Sequence, residues 1–272
     1  MPALVVSDLD GTLLNDEGRI SGKDFSTLLR FRKKGIIGAI ATGRNLNSCR
    51  QLLPDDFPIE YLIFSNGCGI MHWPSKAIIS AHSLSSETVP LVFDVLKGSN
   101  FDFFVHSVIP QNHMYRFHQY DRANADFNLR MNRSLNFVLG EMNEHTLNEG
   151  YSQFLAIISP NTPMPEFDEQ VHRQCSVIKA TSPLNGTSKW LEIYPENVSK
   201  GYALKTVCRL TDCHLEQTYA LGNDFNDISM LEIAAYGHLV KNATAELIGM
   251  FNPIVSNNEN PLSALAKNHK LL

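Results

Sequence analysis

No stretch of this chain stays apolar for the roughly 20 residues a membrane helix needs. The longest runs, Ile36 to Ala41 and Phe154 to Ile158, have the length of strands. Cysteine is scarce and unpaired in pattern: the five are Cys49, Cys68, Cys175, Cys208 and Cys213, with no CxxC unit among them. An odd, scattered set argues against a disulfide framework and fits reduced thiols. Cys208, Cys213 and His214 lack the second ligand pair that a structural zinc asks for. A basic excess is missing too. Lys and Arg total 23 against 28 Asp and Glu, a formal net charge of −5, which disfavours a nucleic-acid partner. The opening MPALVVSDLD has no basic start and reaches an acidic residue at position 8. It does not read as a secretory leader, so a cytoplasmic protein without a membrane partner is expected. Repeats and low-complexity segments are absent.

What is present suits a globular protein of one large or two modest domains: 272 residues, 43% hydrophobic and 19% charged. Ala3 to Ser7 is apolar and β-rich without alternation, as in a strand buried on both faces. Ser21 then offers a helix cap and Gly35 a helix end. Ile36 to Ala41 and Tyr61 to Phe64 are further buried strands, with a short helix between them that stops by Pro54. Strand, helix, strand, helix, strand predicts a parallel, doubly wound sheet. From about residue 83 the pattern changes. A helix over Ser86 to Lys97 precedes strands at 101–108, 114–118, 154–159 and 176–181, with a helix near 165–174. The turn-rich stretch Ser182 to Ser188 reads as a hinge. The parallel pattern then returns: a strand at Trp190 to Tyr194, a helix capped by Ser199, a strand at Tyr219 to Leu221, a helix over Asp227 to Tyr236 closed by Gly237, and a strand at 238–240. The expected fold is α/β, a Rossmann-like parallel core (1–82 and 187–272) carrying an inserted α+β cap domain (83–186).

In open α/β sheets ligands bind beyond the carboxyl ends of the strands. Four polar clusters fall there, and together they suggest one site. Turn geometry accounts for Gly11 and for Asp10, but not for Asp8, whose charge at the edge of a buried sheet needs a partner. A hard divalent cation such as Mg²⁺ would serve. Asp8 could then attack phosphorus, with Asp10 as the acid and later the base. Thr42 and Gly43 could hold phosphate oxygens at a helix start, or merely cap that helix. Arg44 suits either an ion pair or the substrate. Lys200 stands in the first turn of its helix, against the helix dipole, where a neighbouring anion would justify it. Asn223, Asp224, Asn226 and Asp227 exceed what one helix cap needs and could complete a metal shell with Asp8.

These clusters, in this order, resemble the haloacid dehalogenase superfamily of phosphohydrolases. Asp8-Leu9-Asp10-Gly11-Thr12-Leu13-Leu14 is similar to its first motif, and Thr42-Gly43-Arg44, Lys200-Gly201 and Gly222 to Asp227 to the others. Ser65-Asn66-Gly67, Leu191-Glu192-Ile193 and Lys241-Asn242-Ala243 resemble its Cof-type branch in particular. The resemblance implies an Asp8 nucleophile and an Asp10 acid/base. It implies phosphate binding by the Leu9 backbone, Thr42, Gly43, Lys200 and Asn226. It implies Mg²⁺ held by Asp8, the Asp10 carbonyl and the position of Asn223, with Asp227 assisting. The family has Asp at that position, so Asn223 is a departure: it offers an amide oxygen and no charge.

A Mg²⁺-dependent phosphatase of small phosphorylated metabolites, sugar phosphates first among them, is therefore the expectation, acting as a monomer or homodimer. A phosphomutase of the same superfamily, or a non-catalytic sugar-phosphate sensor, are the alternatives. His106, His113, Arg116, His118 and Arg122 of the insert are candidates to read substrate hydroxyls or a second anion, each weighed against an ordinary surface role.

Overall fold

The computed structural model describes residues 3–160, 162–182 and 184–272. Following the chain, strands β1 (Leu4–Ser7), β2 (Ile37–Ala41), β3 (Tyr61–Phe64), β4 (Gly69–His72) and β5 (Ala77–Ala81) alternate at first with helices α1 (Gly22–Lys33) and α2 (Leu46–Leu52). Then come α3 (Thr88–Gly98), β6 (Asp102–Ser107), β7 (Tyr115–His118), α4 (Ala125–Arg133), β8 (Val138–Glu141), β9 (Tyr151–Ile158), α5 (Glu169–Gln174), β10 (Cys175–Thr181) and β11 (Lys189–Pro195). The chain closes with α6 (Lys200–Leu210), β12 (Thr218–Gly222), α7 (Ile228–Ile233), β13 (Tyr236–Leu239), α8 (Ala245–Ile248), β14 (Asn252–Pro253) and α9 (Pro261–Asn268).

Two compact units result. The first holds residues 1–44, 48–80 and 199–272. Its eight-stranded sheet runs β14-β13-β12-β1-β2-β3-β4-β5. β1 lies between β12 and β2, parallel to both, so its carboxyl end is flanked by two other strand ends. Leu4 and Val6 point into a core with Ala39, Ala41, Ile63 and Ala220, covered by Ala203, Leu204 and Val207 of α6 and Met230 and Leu231 of α7. Burial on both faces explains why these strands read as unbroken apolar runs.

The second unit holds residues 45–47 and 81–198. Its six-stranded sheet runs β10-β11-β9-β6-β7-β8 and is antiparallel except for β7 with β8. Period-two alternation supplies two cores. Phe103, Val105, Phe154 and Ile193 pack with α3 through Val92, Phe93 and Leu96. Phe104, Leu155 and Trp190 pack with Phe127 of α4 on the opposite side of the strands.

Three sequence expectations change. Trp190 to Tyr194 is a strand, but as part of β11 it pairs antiparallel with β10 and β9 in the second unit, not with the parallel core. The stretch Ser182 to Ser188 links β10 to β11, with Ser182 N–H donating to Ser188 O at 2.9 Å, so it is a turn between neighbouring strands and not a hinge; its Pro183 lies outside the described residues. The helix expected over Asp227 to Tyr236 ends at Ile233, and Tyr236 already belongs to β13. Gly237 serves that strand: a Cβ there would stand 2.2 Å from Leu231 O, a close approach only glycine permits.

Candidate active site

β1 delivers Asp8 to the sheet's carboxyl edge, where its N–H donates to Leu221 O of β12 at 2.8 Å. The backbone then swings through a wide turn that closes when Leu14 N–H donates to Leu9 O at 2.8 Å. Gly11 makes this possible with φ of 70°, and a Cβ on it would stand 2.6 Å from Asn223 Nδ2. Leu9 and Leu13 sink into the core and Thr12 is buried with them. Asp8 and Asp10 are therefore held by a turn locked at both ends.

Ser199 caps α6 by accepting from Tyr202 N–H at 3.1 Å, which sets Lys200 at the first helical position. Its side chain is wholly buried, and Nζ donates to Asp8 Oδ1 at 2.6 Å and to Asp227 Oδ1 at 2.7 Å. Burial alone would pull the ammonium down, but Asp227 and Asp8 together hold it above the ordinary lysine value. Asp8 itself is pushed up to about 7, chiefly by burial, with Asp227 and Asp10 adding and Lys200 opposing. Asp227 turns its other oxygen to the loop after β12, accepting from the N–H groups of Asn223 at 2.8 Å and Asp224 at 3.1 Å.

The remaining expected residues fall into three groups. Asn223 accepts on Oδ1 from the Thr12 hydroxyl at 3.2 Å. Asn226 donates to Asn66 Oδ1 at 3.2 Å, and Gly43 lies beside both: a Cβ on it would sit 3.5 Å from Asn66 Oδ1 and 3.7 Å from Asn226 Nδ2. Thr42 Oγ1 accepts from Arg44 N–H at 3.1 Å. The open question over Arg44 closes in favour of an ion pair: Nε and Nη2 grip both oxygens of Asp10 at 2.8 and 2.7 Å, while Nη1 donates to Ser48 at 3.1 Å. Hydrogen bonding to Asp10 raises the guanidinium above its usual value.

Two contributors went unassigned by sequence reasoning. Asn66 is fully buried with φ of 53°, and Asn242 donates to Gly11 O at 2.8 Å while accepting from Asn257 N–H at 2.9 Å. The only signal for either was its place in a short motif. In the second unit, several insert candidates have local partners. His106 is buried between Asn112 O at 2.9 Å and Arg130 at 3.2 Å. Arg116 pairs with both oxygens of Glu149 at 2.7 Å, and His118 stacks on Phe103 at 5.0 Å. Among the described residues no three or more His, Cys, Asp or Glu side chains are grouped to hold a metal, Cys208 and Cys213 included. No described helix is long and apolar enough to cross a membrane.

Residues 5–267, strand β1 through most of α9, match the haloacid dehalogenase-like hydrolase family. The chain belongs to this family. It is a phosphatase-type hydrolase, with the family's Rossmann-like α/β core and an inserted unit. A 5-amino-6-(5-phospho-D-ribitylamino)uracil phosphatase of Bacillus subtilis is 26% identical over 242 residues, which span 88% of this chain and 84% of that protein. The HMP-PP phosphatase of Yersinia pseudotuberculosis is 26% identical over 250 residues, 91% of this chain and 86% of that one. Among solved structures, a subclass IIB sugar phosphatase superposes with a TM-score of 0.77 at 19% identity, covering 99% of this chain and 100% of its own. A hydrolase of the family from Bacteroides thetaiotaomicron gives 0.73 at 20%, covering 98% and 100%. At such identities the structures share the fold.

Proposed function

We propose that this haloacid dehalogenase-like phosphatase hydrolyses small phosphorylated metabolites, sugar phosphates foremost, by way of a phosphoryl group carried on Asp8. The observation that supports it most is the buried Lys200 bridging Asp8 and Asp227 at 2.6 and 2.7 Å beside the end of a parallel strand. A fixed cation there costs no reorganisation when charge builds on a transferring phosphoryl group. Asp8 attacks phosphorus, and the bond to the leaving oxygen breaks as Asp10 gives that oxygen a proton. Asp10 then takes a proton from the water that attacks the aspartyl-phosphate, which returns Asp8 and frees phosphate. Leu9 N–H, Thr42, Gly43 N–H, Lys200 and the Asn226 amide bind the phosphoryl oxygens. Arg44 orients Asp10 and must yield one carboxylate oxygen when the proton moves.

The donor set fits Mg²⁺. Asp8 Oδ1 is taken by Lys200, and Oδ2 receives no hydrogen bond among the described residues. That oxygen, main-chain carbonyls of the turn and the Asn223 amide oxygen are hard donors of the type Mg²⁺ selects. When bound, the ion would neutralise phosphoryl oxygens and favour attack. The relatives named for 5-amino-6-(5-phospho-D-ribitylamino)uracil and HMP-PP make phosphomonoesters of sugar-like chains and HMP-PP itself the first compounds to try. The deciding experiment is release of inorganic phosphate from p-nitrophenyl phosphate and a metabolite panel, with and without Mg²⁺. Mg²⁺-dependent turnover is expected. No turnover with any divalent metal would overturn catalysis and leave a sugar-phosphate sensor.

A further inference from the structure

Resting on that reading, we infer that the chain takes up its divalent cation together with the phosphoryl group, each binding weakly without the other, because its own side chains have consumed nearly all the charge and oxygen that would hold the metal alone. Three side chains, those of Asp8, Asn223 and Asp227, and the Asp10 carbonyl were expected around the cation, and two of those side chains are already engaged, while the Asp10 side chain cannot be added to them. Both oxygens of Asp10 are gripped by Arg44 at 2.7 and 2.8 Å. Asp227 spends one oxygen on Lys200 and the other on two backbone N–H groups. Asn223 is neutral, and its oxygen accepts from Thr12 at 3.2 Å. Of the carboxylate oxygens of Asp8, Asp10 and Asp227, only Asp8 Oδ2 receives no hydrogen bond among the described residues.

Charge points the same way. Three linked carboxylates, Asp8, Asp10 and Asp227, face two linked cations, Arg44 and Lys200, so a single negative charge is left over. A divalent cation alone turns this cluster net positive. A phosphate dianion alone adds to its negative charge. Together they return it to the starting charge. Mg²⁺ sheds water reluctantly and commonly relies on one or two carboxylates plus the substrate's phosphate oxygens; here one carboxylate oxygen is on offer beside the neutral donors of the turn, so a charged phosphate oxygen strengthens the site. Coupling of this kind is reciprocal: whatever factor phosphate lends the metal, the metal lends phosphate.

Mn²⁺ is a suitable probe, since the free ion is counted directly by electron paramagnetic resonance. The full chain is titrated with Mn²⁺ with and without inorganic phosphate, correcting for Mn²⁺–phosphate pairing measured in protein-free buffer. Phosphate should tighten Mn²⁺ at least about tenfold, and equilibrium dialysis of labelled phosphate should show the same factor from Mn²⁺. Asn223→Asp adds a charge beside Thr12 and should let Mn²⁺ bind without phosphate, bringing the factor close to one. Arg44→Gln, which releases Asp10 from its clamp, should lower it as well, so the test survives if one variant misfolds. Equal Mn²⁺ affinity with and without phosphate overturns the inference, as does a coupling factor that neither variant changes. If Mn²⁺ binds tightly alone and p-nitrophenyl phosphate is still hydrolysed, only this inference falls. If neither ion binds in any combination, the phosphotransfer reading falls with it.

Discussion

Asp8 and Asp10 stand one residue apart but live in different surroundings. Asp8 is buried against an ammonium, whereas Asp10 is half-exposed in the fork of a guanidinium. That contrast suits a nucleophile and a proton carrier, which need different environments. Asp8→Asn keeps shape and hydrogen-bonding capacity but removes the attacking charge; kcat should fall at least about a thousandfold with folding intact, measured by phosphate release and circular dichroism. Retained activity beyond a few per cent of wild type, taken at about that level, would rule out covalent catalysis by Asp8. Lys200→Ala removes the cation between two buried carboxylates. Stability should drop by about 3–5 kcal/mol in urea titrations at pH 8. The loss should be smaller at pH 5, where Asp8, raised to about 7, can take a proton instead. At this scale the sequence disclosed which residues gather but not what they touch. Arg44 suited either of two partners by type alone. Only the turn through Gly11 puts Asp10 within its reach.

Helix α6 carries Lys200 and also packs against α7, and the contact is made through a missing side chain. A Cβ on Gly201 would stand 2.3 Å from Ser229 O, so Gly201→Ala must push α6 away from α7 and drag Lys200 with it. A loss of about 1–3 kcal/mol and most activity is expected from thermal melts and phosphate release. Gly22→Ala is the control: nothing lies within 4 Å of its would-be Cβ at the start of α1, and it should hold or gain up to about 1 kcal/mol. Elements were legible where burial is symmetric. β1, β2 and β3 announced themselves as apolar runs, and the caps Ser21 and Ser199 were read correctly because each accepts the N–H three residues on. Partnership was not legible. β11 is strand-like in composition whichever sheet it joins, and only long-range pairing assigns it to β9 and β10. α4 was missed because Ala125 to Arg133 buries only Phe127 and the polar Asp126.

Two buried groups, Asp8 in the first compact unit and His106 in the second, respond to acid with opposite sign, and each unit has one tryptophan to report it: Trp73 in the first and Trp190 in the second. In the second unit burial drives His106 down to about 3, with Arg130 and His113 adding to the effect and Asn112 O opposing it. An unfolded imidazole titrates near 6.5. The unfolded chain therefore binds the extra proton first, and this unit loses stability as pH falls from about 6.5 towards 3, by an amount on the order of a few kcal/mol. In the first unit Asp8 acts with the other sign. Its folded value of about 7 lies above the ordinary carboxylate range, so the folded state binds the proton first and gains stability as pH falls through 7. With Trp73→Phe, leaving Trp190 as reporter, the urea midpoint should decline steadily between pH 7 and 4. With Trp190→Phe it should decline less over that interval. His106→Gln, which removes the imidazole while keeping an amide donor for Asn112 O, should flatten the Trp190 profile and leave the Trp73 profile unchanged. Parallel decline of both reporters, or a Trp190 profile indifferent to His106→Gln, would show that the buried imidazole does not set the acid limit of its unit.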